Sequence, residues 1–134
     1  MKATILAAAL SLPALAGAAM AQDAATPAAP QMTMDDAYAA AQNQLGVLEY
    51  CQTKADVGDE VIQTQTKLLG MIPTPDDTTE ALAAYEKGKD GTVASMGNEV
   101  SLADVASSRS TDEGALCQQM AQLVTQAASQ IPPG

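Results

Sequence analysis

Cys51 and Cys117 are the two cysteines of this 134-residue chain. With two, only one intramolecular pairing exists, and an even count in an oxidising compartment argues for a disulfide. Such a bridge would close a loop of 66 residues and stabilise the fold by about 4 kcal/mol in the chain-entropy treatment. That is comparable to the whole net stability of many small domains. No CxxC pair is present to build a redox site, so a structural bridge is expected.

The compartment is read from the N-terminus. Lys2 supplies a positive start, Thr4 to Ala18 is an apolar run, and Ala19-Met20-Ala21 presents small residues where a signal peptidase reads them. Cleavage is expected between Ala21 and Gln22. Pro13 and Gly17 interrupt the run, which is short and alanine-rich for a retained membrane span. No cysteine follows it, so no lipid attachment is expected. The organisation expected is a signal peptide over 1–21, a flexible linker over 22–32 carrying Pro27 and Pro30, and one helical domain over 33–134. The mature chain would reside in the bacterial periplasm or outside the cell, without stable insertion in a membrane.

Charge decides a question raised by the stretch SLADVASSRSTDEGALCQQM, residues 101–120, whose helix, break and helix resemble a DNA-reading helix-turn-helix. The chain holds 6 Lys and Arg against 16 Asp and Glu. The basic residues outside the leader, Lys54, Lys67, Lys87, Lys89 and Arg109, are scattered. A recognition helix that opens with Asp112 and Glu113 would repel phosphate. No nucleic-acid partner is expected.

The same stretch is informative about helices. Ser101 with Asp104, Ser110 with Glu113 and, upstream, Thr33 with Asp36 all have capping-box spacing. The spacings predict helices from Thr33 to about Thr53, from about Leu102 to Ser107, and from about Thr111 to Gln130. Apolar stripes run through Met34, Tyr38, Ala41, Leu45 and Leu48 in the first, and through Leu116, Met120, Leu123, Ala127 and Ile131 in the last. Between them, a helix ending near Leu69 would be capped by Asp56 and closed by a left-handed Gly70. Thr74, Pro75 and Asp77 would start another, with Leu82 and Tyr85 on its buried face. Val93, Met96 and Val100 suggest a further short helix or an irregular continuation, and no segment alternates well enough to be a strand. The expectation is an all-α fold: a small bundle of four to five helices, the first and last long helices clamped by one disulfide.

The chain has no Phe and no Trp. Ala, Val, Leu and Met must therefore fill the core, with helices close together and little apolar area buried per residue.

There is no His. That removes histidine-based nucleophilic catalysis, the commonest general base near neutral pH and the commonest zinc ligand. The pairs Asp35-Asp36 and Asp76-Asp77 fall in first helical turns, where capping and the helix dipole account for them. Met32-Thr33-Met34 could offer thioether sulfur to Cu(I), although Met34 also begins the helical stripe. KGKDGT over 87–92 lacks the spacing of a phosphate-binding loop and reads as a turn.

No catalytic, cofactor-binding or metal residues are assigned, and no enzymatic activity is expected. In kind, the chain resembles small two-cysteine helical periplasmic proteins, among them the acid-stress chaperones of enteric bacteria; the resemblance is of architecture and carries over no residue. The function expected is protein–protein interaction through an apolar surface or groove on an unidentified partner, by a monomer or small homo-oligomer. A more specific version is an acid-stress chaperone, whose carboxylates would neutralise as pH falls towards 4. The alternative is a carrier of copper, through Met32 and Met34, or of a small apolar ligand.

Overall fold

A computed structural model describes residues 31–132. The expected leader, its cleavage point between Ala21 and Gln22, and most of the linker lie outside the described residues. Within them the chain forms α1 (Met34–Gln52), α2 (Asp59–Leu69), α3 (Thr79–Lys89), β1 (Thr92–Ser95), β2 (Asn98–Ser101), α4 (Leu102–Ser108) and α5 (Glu113–Ser129). The fold is mostly helical, and Cys51 of α1 is bonded to Cys117 of α5 with Cα atoms 5.3 Å apart.

The hairpin corrects the all-α expectation. Residues 92–101 pair antiparallel, with Val93 opposite Val100 and Ser95 opposite Asn98. The two turn residues, Met96 and Gly97, both have positive φ, 51° and 77°, as a type I′ turn requires. A helical continuation loses here because the turn reverses the chain at Met96-Gly97 and β1 is held by Asn43, far away in sequence.

α1 is the central element. From Asp36 to Tyr50 none of its residues is exposed, and α2, α3, β1 and α5 all pack on it. Its start follows the expected chemistry: the Thr33 hydroxyl accepts from the Asp36 amide, and the Asp36 carboxylate accepts from the Thr33 amide. Its buried positions, however, are Ala39, Asn43, Gly46, Val47, Leu48 and Cys51 rather than the expected stripe, and Met34 is exposed. The core joins Val47, Leu48 and Cys51 of α1 to Val61 of α2, Leu102 and Ala106 of α4, and Leu116, Cys117 and Val124 of α5. No aromatic ring belongs to this buried set; Tyr50 packs at its edge.

Four further boundaries differ from the sequence reading. Ser110 does not cap α5. It has φ 53° and closes α4, with its own amide bonded to Ser107 O and the next amide, Thr111, bonded to Ala106 O. This is the Schellman arrangement with serine in place of glycine. Asp112 caps α5 instead, its carboxylate accepting from Ala115 N at 2.8 Å. α2 starts after Gly58 without a side-chain cap, so Asp56 does not serve, and Gly70 is right-handed, φ −64°. α3 begins at Thr79, not beside Pro75, and Asp77 accepts from the Thr79 amide at 2.9 Å. Leu82 and Leu123, expected to be buried, are 56% and 60% exposed; Ala81 and Val124 take the buried places.

Candidate functional site

α1 and α3 run side by side in the same direction, touching at two glycines. A Cβ on Gly46 would overlap the Tyr85 carbonyl oxygen, and a Cβ on Gly88 would overlap Asn43 O and lie 2.7 Å from Val47 N. Only glycine permits backbones this close. At the N-terminal side of this contact the helices and the hairpin leave an open cleft of about 190 Å³. Its surface is laid by Ala39 and Ala40 of α1, Ala83 and Ala84 of α3, and Ala94 of β1. Each helix contributes the same pattern at positions i, i+3 and i+4: Asp36-Ala39-Ala40 and Glu80-Ala83-Ala84. In each helix these three residues share one face, and the alanines are too short to fill the space beside them. The hairpin forms the far wall with Ser95, Met96 and Glu99.

Asn43 fixes that wall. It is buried, donates through Nδ2 to Ala84 O at 2.8 Å and Thr92 O at 2.9 Å, and accepts at Oδ1 from Ala94 N at 2.9 Å. The carboxamide thus meets β1 as a third strand would, accepting from one residue and donating to another two places away. This leaves the outer edge of β1 satisfied by a helix side chain, which protects a short strand from pairing elsewhere. It also fixes the hairpin relative to both helices.

The rim is acidic. Asp36, Glu80 and Glu99 border the cleft, and Asp35 and Asp77 border a second hollow that shares Ala39 and Glu80 with it. Lys87, the basic residue of the rim, is paired with Glu99. Asp35, Asp36, Asp77 and Glu80 have no basic partner among the described residues. The Thr33 side chain and amide hold the Asp36 carboxyl below its usual range, and Thr79 does the same for Asp77. The two helix N-termini oppose this charge, but they amount to about half a positive charge each, against four carboxylates. The cleft is a negative site.

A different polar cluster joins α1 to α5 beside the bridge. Tyr50 donates to Glu113 at 2.6 Å, and Lys54 lies 3.4 Å from the same carboxylate and 5.1 Å over the Tyr50 ring. The bond to Glu113, with burial second, raises the Tyr50 pKa. Across α1, Tyr85 donates to Glu49 at 2.7 Å, with Lys89 5.2 Å over its ring. That bond, with burial, pushes Tyr85 up to about 12. Both clusters are clasps between elements, joining α1 to α5 and α1 to α3.

Of the residues singled out in the sequence, Cys51 and Cys117 meet and are wholly buried. Met32 and Met34 are exposed at the entrance to α1. Of the acids read as capping, Asp36 also borders the cleft, and Asp35 and Asp77 border the adjoining hollow; that second position was not legible, although the repeated acid-Ala-x-Ala-Ala segments DAYAA (36–40) and EALAA (80–84) were available as a signal. Among the described residues no group of three or more His, Cys, Asp or Glu is placed to hold a metal ion, and no helix is long and apolar enough to cross a membrane. No protein-family model, curated protein or solved structure matches the chain.

Proposed function

We propose that this is an exported, non-enzymatic binding protein that docks a segment of a partner protein in the cleft between α1, α3 and the hairpin. The observation that carries this reading is the cleft itself. Five alanines lay its surface, the exposed Met96 stands at its edge, and its walls are fixed by Asn43 and by the Gly46–Gly88 contact. Alanine floors with a flexible methionine beside them suit side chains of varied shape. The leader-like N-terminus and a buried long-range disulfide support a life in an oxidising compartment.

Isotope-labelled, oxidised protein titrated with a panel of unfolded peptides tests the reading. Chemical shifts should move at Ala83, Ala94 and Met96 and leave α5 unchanged. No saturable shift at the cleft, or shifts confined to other surfaces, would remove the proposal.

A further inference from the structure

Resting on that docking reading, we infer that the partner segment is basic as well as apolar, carrying Lys or Arg beside small aliphatic side chains. The first argument is charge complementarity along the groove. Asp35, Asp36, Asp77 and Glu80 border the two connected hollows without a basic partner among the described residues, while Lys87 is engaged by Glu99. All four lie at helix starts, Asp35, Asp36 and Glu80 in the first turns of α1 and α3 and Asp77 just before α3. Asp36 closes the capping box with Thr33, and Asp77 receives the Thr79 amide. Asp35 and Glu80 are exposed, and between them they exceed what two helix dipoles can neutralise.

The second argument is the division of the groove into an apolar floor and a charged rim. Ala39, Ala83 and Ala94 offer shallow apolar contact, which alone gives little discrimination between segments. A cationic head beside the rim, with its aliphatic stem laid along the alanines, uses both parts at once, as long basic side chains do when they cover apolar surface. An acidic segment would meet like charge from both helices. The rim therefore sets which partner binds and how fast, while the floor sets where it lies.

Three peptides of one length and one aliphatic pattern, differing only in carrying Lys, Gln or Glu at the polar positions, test this on the oxidised protein. Binding is read by chemical shifts at Ala83 and Ala94, at low and at physiological salt. The Lys peptide should bind tightest, weaken with salt, and lose roughly three- to tenfold in affinity in the Asp35→Asn, Glu80→Gln double variant. Both positions are exposed, so an unchanged melting temperature checks that the variant is folded. If the Gln or Glu peptide binds the cleft as tightly as the Lys peptide, or the double variant binds unchanged, the charge inference is overturned while the docking reading stands. If none of the three moves the cleft resonances, the docking reading itself is overturned.

Discussion

Gly46 and Gly88 bring α1 and α3 into backbone contact, each lying against a main-chain atom of the other helix rather than against a side chain. Backbone cannot rotate away as a side chain can, so any Cβ here forces the helices apart. Gly88→Ala should lower the unfolding free energy by about 2 kcal/mol, overpacking outweighing the better helix propensity of alanine. Gly70→Ala is the control. Gly70 is right-handed and its nearest neighbour to a new Cβ is at 3.4 Å, so that change should be neutral or slightly stabilising. Urea denaturation of the two variants checks both.

Asn43 is the polar residue on which the hairpin depends. Asn43→Ala abandons Ala84 O, Thr92 O and Ala94 N together, a loss of about 3 kcal/mol at a net value near 1 kcal/mol per bond. Because one of the three is the Ala94 amide, hydrogen exchange at Ala94 should accelerate far more than exchange in α5. Equal acceleration throughout would mean that Asn43 supports the fold in general and not the hairpin.

The bridge between Cys51 and Cys117 is buried on both sides. Native protein should therefore resist dithiol reductants until denaturant is added. The Cys51→Ala, Cys117→Ala double variant should lose about 4 kcal/mol, the entropy of a 66-residue loop. Thiol titration over time and a denaturation series measure the two effects separately.

Tyr85 gives the fold an alkaline limit. Its folded pKa, about 12, lies above its ordinary value of 10.0 because the neutral phenol donates to Glu49. A raised pKa means the contribution is fully present below pH about 10 and is lost as pH rises through the folded value. The phenolate absorbance should show a late step near pH 12 that Tyr85→Phe removes, and the stability of that variant should fall less between pH 10 and 12.

The parts of this fold that were legible in the sequence are those governed by neighbours along the chain. The Thr33–Asp36 box, the Ser101 cap and the bounds of α1 and α4 depend on residues three or four apart. The cysteine pair was legible because two thiols admit one pairing. The hairpin was hidden because Met96 gives no sign of a positive φ and because β1 is completed by Asn43, 51 residues from Ala94. The inward face of α1 was misread for a related reason. Its buried positions include Gly46 and Asn43, which do not register as apolar yet lie at the helix–helix contact. The cleft shared that obscurity: the alanines surrounding it are defined by what they leave empty. Ser110 could be read as a cap of the next helix or as the end of the previous one, and the need to reverse the chain after α4 decided for the latter.

The central claim is that the alanine-lined cleft receives a partner segment, and filling it is the most direct test. Ala83 lines the cleft and is exposed, so a tryptophan there can occupy the space without entering the core. Titrating the Lys-bearing aliphatic peptide into wild type and Ala83→Trp, by calorimetry on oxidised protein, gives the answer. The account predicts an unchanged melting temperature and a loss of affinity of about tenfold or more, equivalent to some 1.4 kcal/mol. A folded Ala83→Trp protein that binds the peptide as wild type does would contradict it.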